Sequence, residues 1–262
     1  MDMMKLPDAK PFDSYPHGAQ QLMRAAERLF GERGVDGVTI RELLDVAGQA
    51  NKSAVHHYFG SKEGLLQAVH EMRLPELEAA RARAIERLHL RGEAQHKELL
   101  AALFLPVLEV MDDRDLDAFS QFNLRLLHQG TSDQSFMRAA AASPATREIV
   151  DRLCACFPAI PEPVFRARMR LAVGVLLGGV AEWRLLSTGR NCPYPSLDTF
   201  WADVLLMASG VLAAPYADAA GFQVEVRRPM RRKAAGVRAA SAAAAPARKA
   251  GRPPGRKVAT AA

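Results

Sequence analysis

Between Thr39 and Phe59 the chain spells out two short helices and the turn between them, and that stretch constrains everything around it. Thr39 and Glu42 stand three apart. At that spacing a hydroxyl accepts from the first turn while a carboxylate reaches back to the cap's own N–H. Ile40, Leu43, Leu44 and Ala47 then recur at helical spacing and mark one apolar face. Gly48 follows, where a left-handed residue closes a helix without a Cβ penalty. After a very short turn a second helix is expected over 51–58, with Asn51 as its cap. Val55 and Phe59 face inward, while Lys52 with His56, and Ser53 with His57, share the opposite face. Two short helices about a tight glycine turn, the second polar and bare on one side, describe a helix-turn-helix DNA reader.

Ala47-Gly48, Ser53, the run His56-His57-Tyr58-Phe59 and then Ser61-Lys62-Glu63-Gly64-Leu65-Leu66 resemble the amino-terminal domain of the tetracycline-repressor (TetR) family. The interval from Gly48 to Phe59 is one residue longer than that pattern usually has, and a histidine stands where an aromatic is often found. The resemblance implies that Lys52, Ser53, His56 and His57, with Asn51 beside them, meet base edges. Thr39, Tyr58 and Lys62 are then better placed for phosphates. Ser61 should cap the next helix, whose amino terminus suits an anion.

The remaining pattern is helical, and strand signals are weak throughout. Leu22, Ala26, Leu29 and Phe30 give an amphipathic helix over 18–32. Further helices are expected over 76–88, 93–111 with a kink at Pro106, 115–129, 144–153, 164–187 and 196–213. The fold class is therefore all-α: an N-terminal three-helix helix-turn-helix domain followed by a larger helical ligand-binding and dimerisation domain. The expected divisions are a disordered arm over 1–15, the DNA-binding domain over 16–74, the effector-binding and dimerisation domain over 75–215, and a disordered basic tail over 216–262. By the same resemblance, the helices at 164–187 and 196–213 pair with their copies in a second subunit. Gly174, Gly178 and Gly179 would let a neighbouring helix approach, in a second copy or within the chain. Phe104, Phe119, Phe122 and Trp183 either line an effector pocket or are plain core.

Charge is distributed unevenly. The net charge of +6 conceals eleven Lys and Arg, with no Asp or Glu, from Arg227 onward. The first 226 residues hold 24 basic and 29 acidic residues, and residues 17–74 hold seven of each. Phosphate attraction carries much of a DNA-binder's affinity, so the tail is the place to look for it. Large apolar residues are scarce there, so the tail is read as disordered. Its Gly251-Arg252-Pro253-Pro254-Gly255-Arg256-Lys257 partly matches an AT-hook, with Ala250 where that motif prefers Arg. Arg252, Arg256 and Lys257 are its candidate DNA contacts, by minor-groove insertion or by phosphate binding, unless the tail is merely solvated.

Other functions find little support. The most apolar run, Leu171 to Ala181, has about half the roughly 20 residues a bilayer span needs. No opening apolar run suggests a signal peptide, so no membrane association and a cytoplasmic location are expected. Cys154, Cys156 and Cys192 are odd in number and lack zinc spacing; they read as small core residues. The chain has no His-Glu-x-x-His, no Gly-rich phosphate loop and no Gly-x-Ser-x-Gly elbow, so neither an enzyme nor a cofactor or metal is expected. The leading reading is a homodimeric, ligand-responsive regulator of transcription. It would be a repressor that binds double-stranded DNA at an inverted repeat and answers to an unidentified small-molecule effector. The alternative is an architectural DNA-binding protein acting mainly through its tail.

Overall fold

The computed structural model describes residues 10–90, 94–129, 143–189 and 191–216, so residues 1–9 of the expected arm over 1–15 and the tail with Arg252, Arg256 and Lys257 lie outside it. Phe12 and Tyr15 of that arm pack against the first core. Among the described residues the chain is helical and carries no strand. A short 3-10 turn at Phe12–Ser14 precedes α1 (His17–Arg33), α2 (Ile40–Val46), α3 (Ala54–Phe59) and α4 (Lys62–Glu71). The body follows as α5 (Leu74–His89), α6 (His96–Val110), α7 (Asp113–Gln129), α8 (Pro144–Ala155), α9 (Glu162–Thr188) and α10 (Leu197–Ala213).

Local signals set many of these boundaries. Thr39 and Glu42 form the reciprocal capping box that opens α2. Gly48 adopts φ +64°, and the N–H groups of Gly48 and Gln49 return to the carbonyls of Asp45 and Leu44, closing α2 with a Schellman motif. The hydroxyls of Ser61 and Ser196 accept from Gly64 and Thr199 and start α4 and α10. Pro106 lies inside α6, which continues through it.

The second helix of the reading pair departs from expectation. Asn51 does not cap it, and it begins at Ala54 rather than 51. The Asn51 side-chain carbonyl accepts from the Ser53 N–H at 2.9 Å, a local turn that competes with helix. The turn thus takes up the extra residue between Gly48 and Phe59, and Lys52 and Ser53 precede the helix instead of riding on it.

Two apolar cores result. The first joins Leu22, Met23, Ala26 and Phe30 of α1 to Leu43, Val55, Leu65 and Val69, and it also takes in Phe122 and Leu126 from α7. A Cβ built on Gly31 would stand 2.9 Å from the Phe122 backbone nitrogen, so α1 and α7 touch backbone to backbone there. The second core gathers α5, α6, α8, α9 and α10 around Leu100, Ile149, Leu176, Phe200 and Trp201. Cys156 and Cys192 are exposed rather than core residues, and Cys154 is part-buried.

Candidate functional site

The polar side of the helix-turn-helix pair is open to solvent. Thr39, Asn51, Lys52, Ser53, His56 and His57 are all exposed, while Ala54 and Val55 on the reverse side of α3 are buried. Burying that reverse side holds the short helix down, since six residues form no stable helix alone. His56 Nδ1 lies within hydrogen-bond reach of the Gly60 carbonyl. A carbonyl only accepts, so in neutral His56 the proton sits on Nδ1 and Nε2 is an acceptor. The rings of His57 and Tyr58 meet edge to face with centroids 4.9 Å apart. Tyr58 is half-buried, and its hydroxyl lies 3.0 Å from where a Cβ on Gly18 would stand.

Thr39 is held by its cap. Its N–H and its hydroxyl each lie 2.8 Å from Glu42 Oε2, and Arg33 donates to Glu42 Oε1 at 2.7 Å. The hydrogen bonds from Thr39 and then Arg33 bring the Glu42 carboxyl down to about 2. Lys62, expected at a phosphate, turns its ammonium inward in the free protein. Its ammonium donates to the carbonyls of Val35 and Val38 and lies 5.9 Å from the centre of the Phe30 ring. Those carbonyls belong to the loop between α1 and α2, whose polar groups otherwise lack helical partners.

In the body, α4 to α9 line a partly open cavity of about 410 Å³. Phe104 and Phe119 line it, whereas Phe122 and Trp183 do not. Phe122 faces α1 and stacks its edge on His70 at 5.8 Å, and Trp183 packs on Phe200 at 5.2 Å. The aromatic spacing that groups these four residues does not distinguish cavity wall from core.

Sequence reading also misses the charged groups of the cavity. Arg73 lines it while donating to Glu27 on α1 at 3.0 Å and to Asp115 on α7 at 2.8 Å. Burial pushes the Glu27 carboxyl up against the pull of Arg73. Glu27 sits four residues after Met23 and three before Phe30, on the apolar stripe of α1. That position is the one sequence signal of a buried partner. Arg81 also reaches the cavity, from α5. No group of residues suited to a metal, and no helix able to cross a membrane, occurs among the described residues.

Comparison with known proteins agrees with this architecture. The model of the tetR family of bacterial regulatory proteins matches residues 22–69, and that of the tetracyclin repressor-like C-terminal domain matches residues 101–207. The HTH-type transcriptional repressor AcnR of Corynebacterium glutamicum is 35% identical over 57 residues, 22% of this chain and 30% of that protein. AcnR of Corynebacterium efficiens matches with the same identity and coverage. The chain thus spans under a third of the length of these curated relatives. The TetR family transcriptional regulator PfmR from Thermus thermophilus aligns at 18% identity and a TM-score of 0.40, over 73% of this chain and 96% of that one.

Proposed function

The chain is a transcriptional regulator of the TetR family, and on that premise we propose that it is a homodimeric repressor that binds an inverted-repeat operator and is released by a small molecule. The observation that carries the reading is the exposed polar face of α3 and its approach turn, backed by buried Val55. Lys52, Ser53, His56 and His57 are the residues for base edges, with Asn51 setting the turn. His56 Nε2, as an acceptor, suits the amino group of cytosine or adenine. Thr39 and Tyr58 flank this face and suit phosphates.

Dimerisation is supported by an uncovered apolar stripe on α9 and α10. Leu171 and Leu185 are 64% and 69% exposed, and Leu206 and Met207 are 52% and 49% exposed. Gly174 and Gly178 of α9 and Gly210 of α10 meet nothing within 4 Å, whereas Gly179 faces Trp201 inside the subunit. Leu171, Gly174, Gly178 and Leu185 recur three, four and seven apart, so a second α9 could approach along one line. The cavity between α4 and α9 is the chamber for the effector. Its occupant would favour a dimer whose reading helices are wrongly spaced.

Selection of bound fragments from a random DNA pool, followed by sequencing, tests the reading. An inverted repeat with two-fold symmetry is expected. An A·T-rich bias without symmetry would transfer the function to the basic tail and end the repressor reading.

A further inference from the structure

Arg81 brings a guanidinium to the wall of the cavity. It projects from α5 and is part-buried where it lines the cavity. Its Nε donates to the Leu103 carbonyl and one terminal nitrogen donates to the Thr146 hydroxyl, each at 3.0 Å. Neither acceptor carries a charge. Glu78 acts on it only through Thr146: the hydroxyl that accepts from Arg81 donates in turn to Glu78, which also accepts from the Ala145 N–H at the start of α8. Arg81 therefore touches no carboxylate directly among the described residues, and burial draws its guanidinium down to about 10 against the opposing pull of Glu78. A buried cation with no carboxylate in direct contact is costly unless something else helps to neutralise it.

The surroundings point to the sign and shape of what could do so. Five arginines line the cavity against two carboxylates among the described residues, with Arg73 matched by Glu27 and Asp115 and Arg166 by Glu162. The first turn of α8 supplies Thr146 and Arg147 to the same wall, with its Ala145 N–H already taken by Glu78. Away from Arg81 the wall is apolar, with Leu77, Phe104, Phe119, Leu176 and Leu177. A guanidinium has five N–H groups in a planar fork that matches a carboxylate two-pronged, and Arg81 uses only two of them.

We propose that the cavity binds an amphipathic carboxylate, its acid group seated on Arg81 and its hydrocarbon body lying along Leu77, Phe104, Phe119 and Leu176. The volume of about 410 Å³ is within the range of small-molecule sites, which run roughly from 300 to 1,000 Å³. This inference rests on the reading of the cavity as the effector chamber and adds the ligand's chemical class. Arg81 selects the head group, and the apolar wall limits the length of the tail.

The test is calorimetric titration of the purified full-length protein, without DNA, with straight-chain carboxylates from hexanoate to dodecanoate and with the matching alcohols, amines and alkyl phosphates. A carboxylate should bind once per chain and at least about tenfold more tightly than its alcohol. In Arg81→Met the carboxylate should fall to the affinity of the alcohol, with alcohol binding unchanged. Should Arg81→Met not fold, Thr146→Val, which removes the hydroxyl orienting the guanidinium, should weaken the carboxylate selectively. Equal binding of alcohol and acid, preference for the amine or the phosphate, or no binding across the series would overturn the proposal. Operator release is scored separately. Binding without release would leave this inference intact and end the reading of the cavity as the effector chamber, and a missing operator would not touch the titration.

Discussion

The guanidinium of Arg73 meets the carboxylate of Glu27 at 3.0 Å, and both are nearly sealed from solvent, with side chains 12% and 2% exposed. The contact joins the start of α5, where the cavity begins, to the middle of α1, on which the reading pair rests. The second carboxylate on Arg73, Asp115, ties in α7 at 2.8 Å. Breaking a buried pair from one side leaves an unmatched charge and typically costs about 3–5 kcal/mol. Arg73→Met should therefore destabilise the protein by about that much in urea unfolding. Changing both partners, Glu27→Met with Arg73→Met, should recover part of the loss. A double variant no better than the single one would show that the pair is not what holds the helices together.

Lys52 and Lys62 separate under salt. Lys52 is exposed in the approach turn, where a cation that reaches a base edge would also lie in the field of the flanking phosphates. Lys52→Ala should therefore weaken operator binding and flatten the dependence of log K on log salt by at most about 0.9. Lys62 spends its ammonium on the carbonyls of Val35 and Val38. Lys62→Met should lower the unfolding midpoint and leave the salt slope alone. Operator titration from about 50 to 200 mM salt distinguishes the two residues.

Glu42 gives the reading head an acid limit. Its folded carboxyl titrates at about 2, below the ordinary value of 4.5 that it regains on unfolding. A depressed carboxyl contributes stability that is complete above the unfolded value and is lost as pH falls toward the folded one. The contribution should thus be full at about pH 7 and fade between pH 4.5 and about pH 2. Glu42→Gln should melt lower than wild type at neutral pH, and the gap should close across that window. Parallel pH-dependent melts by circular dichroism read it, and a gap independent of pH would place the effect in packing instead.

Gly48 sits at φ +64° with open space around it, so its demand is for backbone conformation alone. Gly48→Ala should cost about 1–2 kcal/mol from forcing a Cβ into the left-handed region. Gly48→Asn should cost less, because asparagine tolerates that region. Equal losses for both, measured by urea unfolding, would mean that the turn is disturbed in some other way.

Leu185→Glu and Leu206→Glu introduce charges on the open stripe of α9 and α10. Each should yield a folded monomer by light scattering, with unfolding midpoints close to wild type, since neither side chain is packed inside the subunit. Retention of the dimer would move the subunit interface elsewhere.

Where a boundary depends on neighbours within a turn, the residues announced it: the Thr39–Glu42 box, Gly48 and the Ser61 and Ser196 caps are read directly from spacing. Asn51 misled because its side chain can serve a turn or a helix cap equally well, and the backbone decides between them. Lys62 and Phe122 misled for another reason. Their partners, Val35 and the α1 stripe, lie 27 and about 90 residues away in sequence, and helical spacing carries no information over such distances. Arg81 was hidden in the same way, since its acceptors on Leu103 and Thr146 lie 22 and 65 residues away.

The close passage of Gly31 against the backbone at Phe122 bears on any attempt to exchange binding specificities between relatives. Part of the head's hydrophobic interior is supplied by α7, so a segment cut after Leu74 would leave Phe30 and its neighbours without Phe122 and Leu126. Such a fragment should clump instead of folding. A chimera designed by swapping heads has to carry a matching α7, or at least its two inward residues, along with the operator-reading helices.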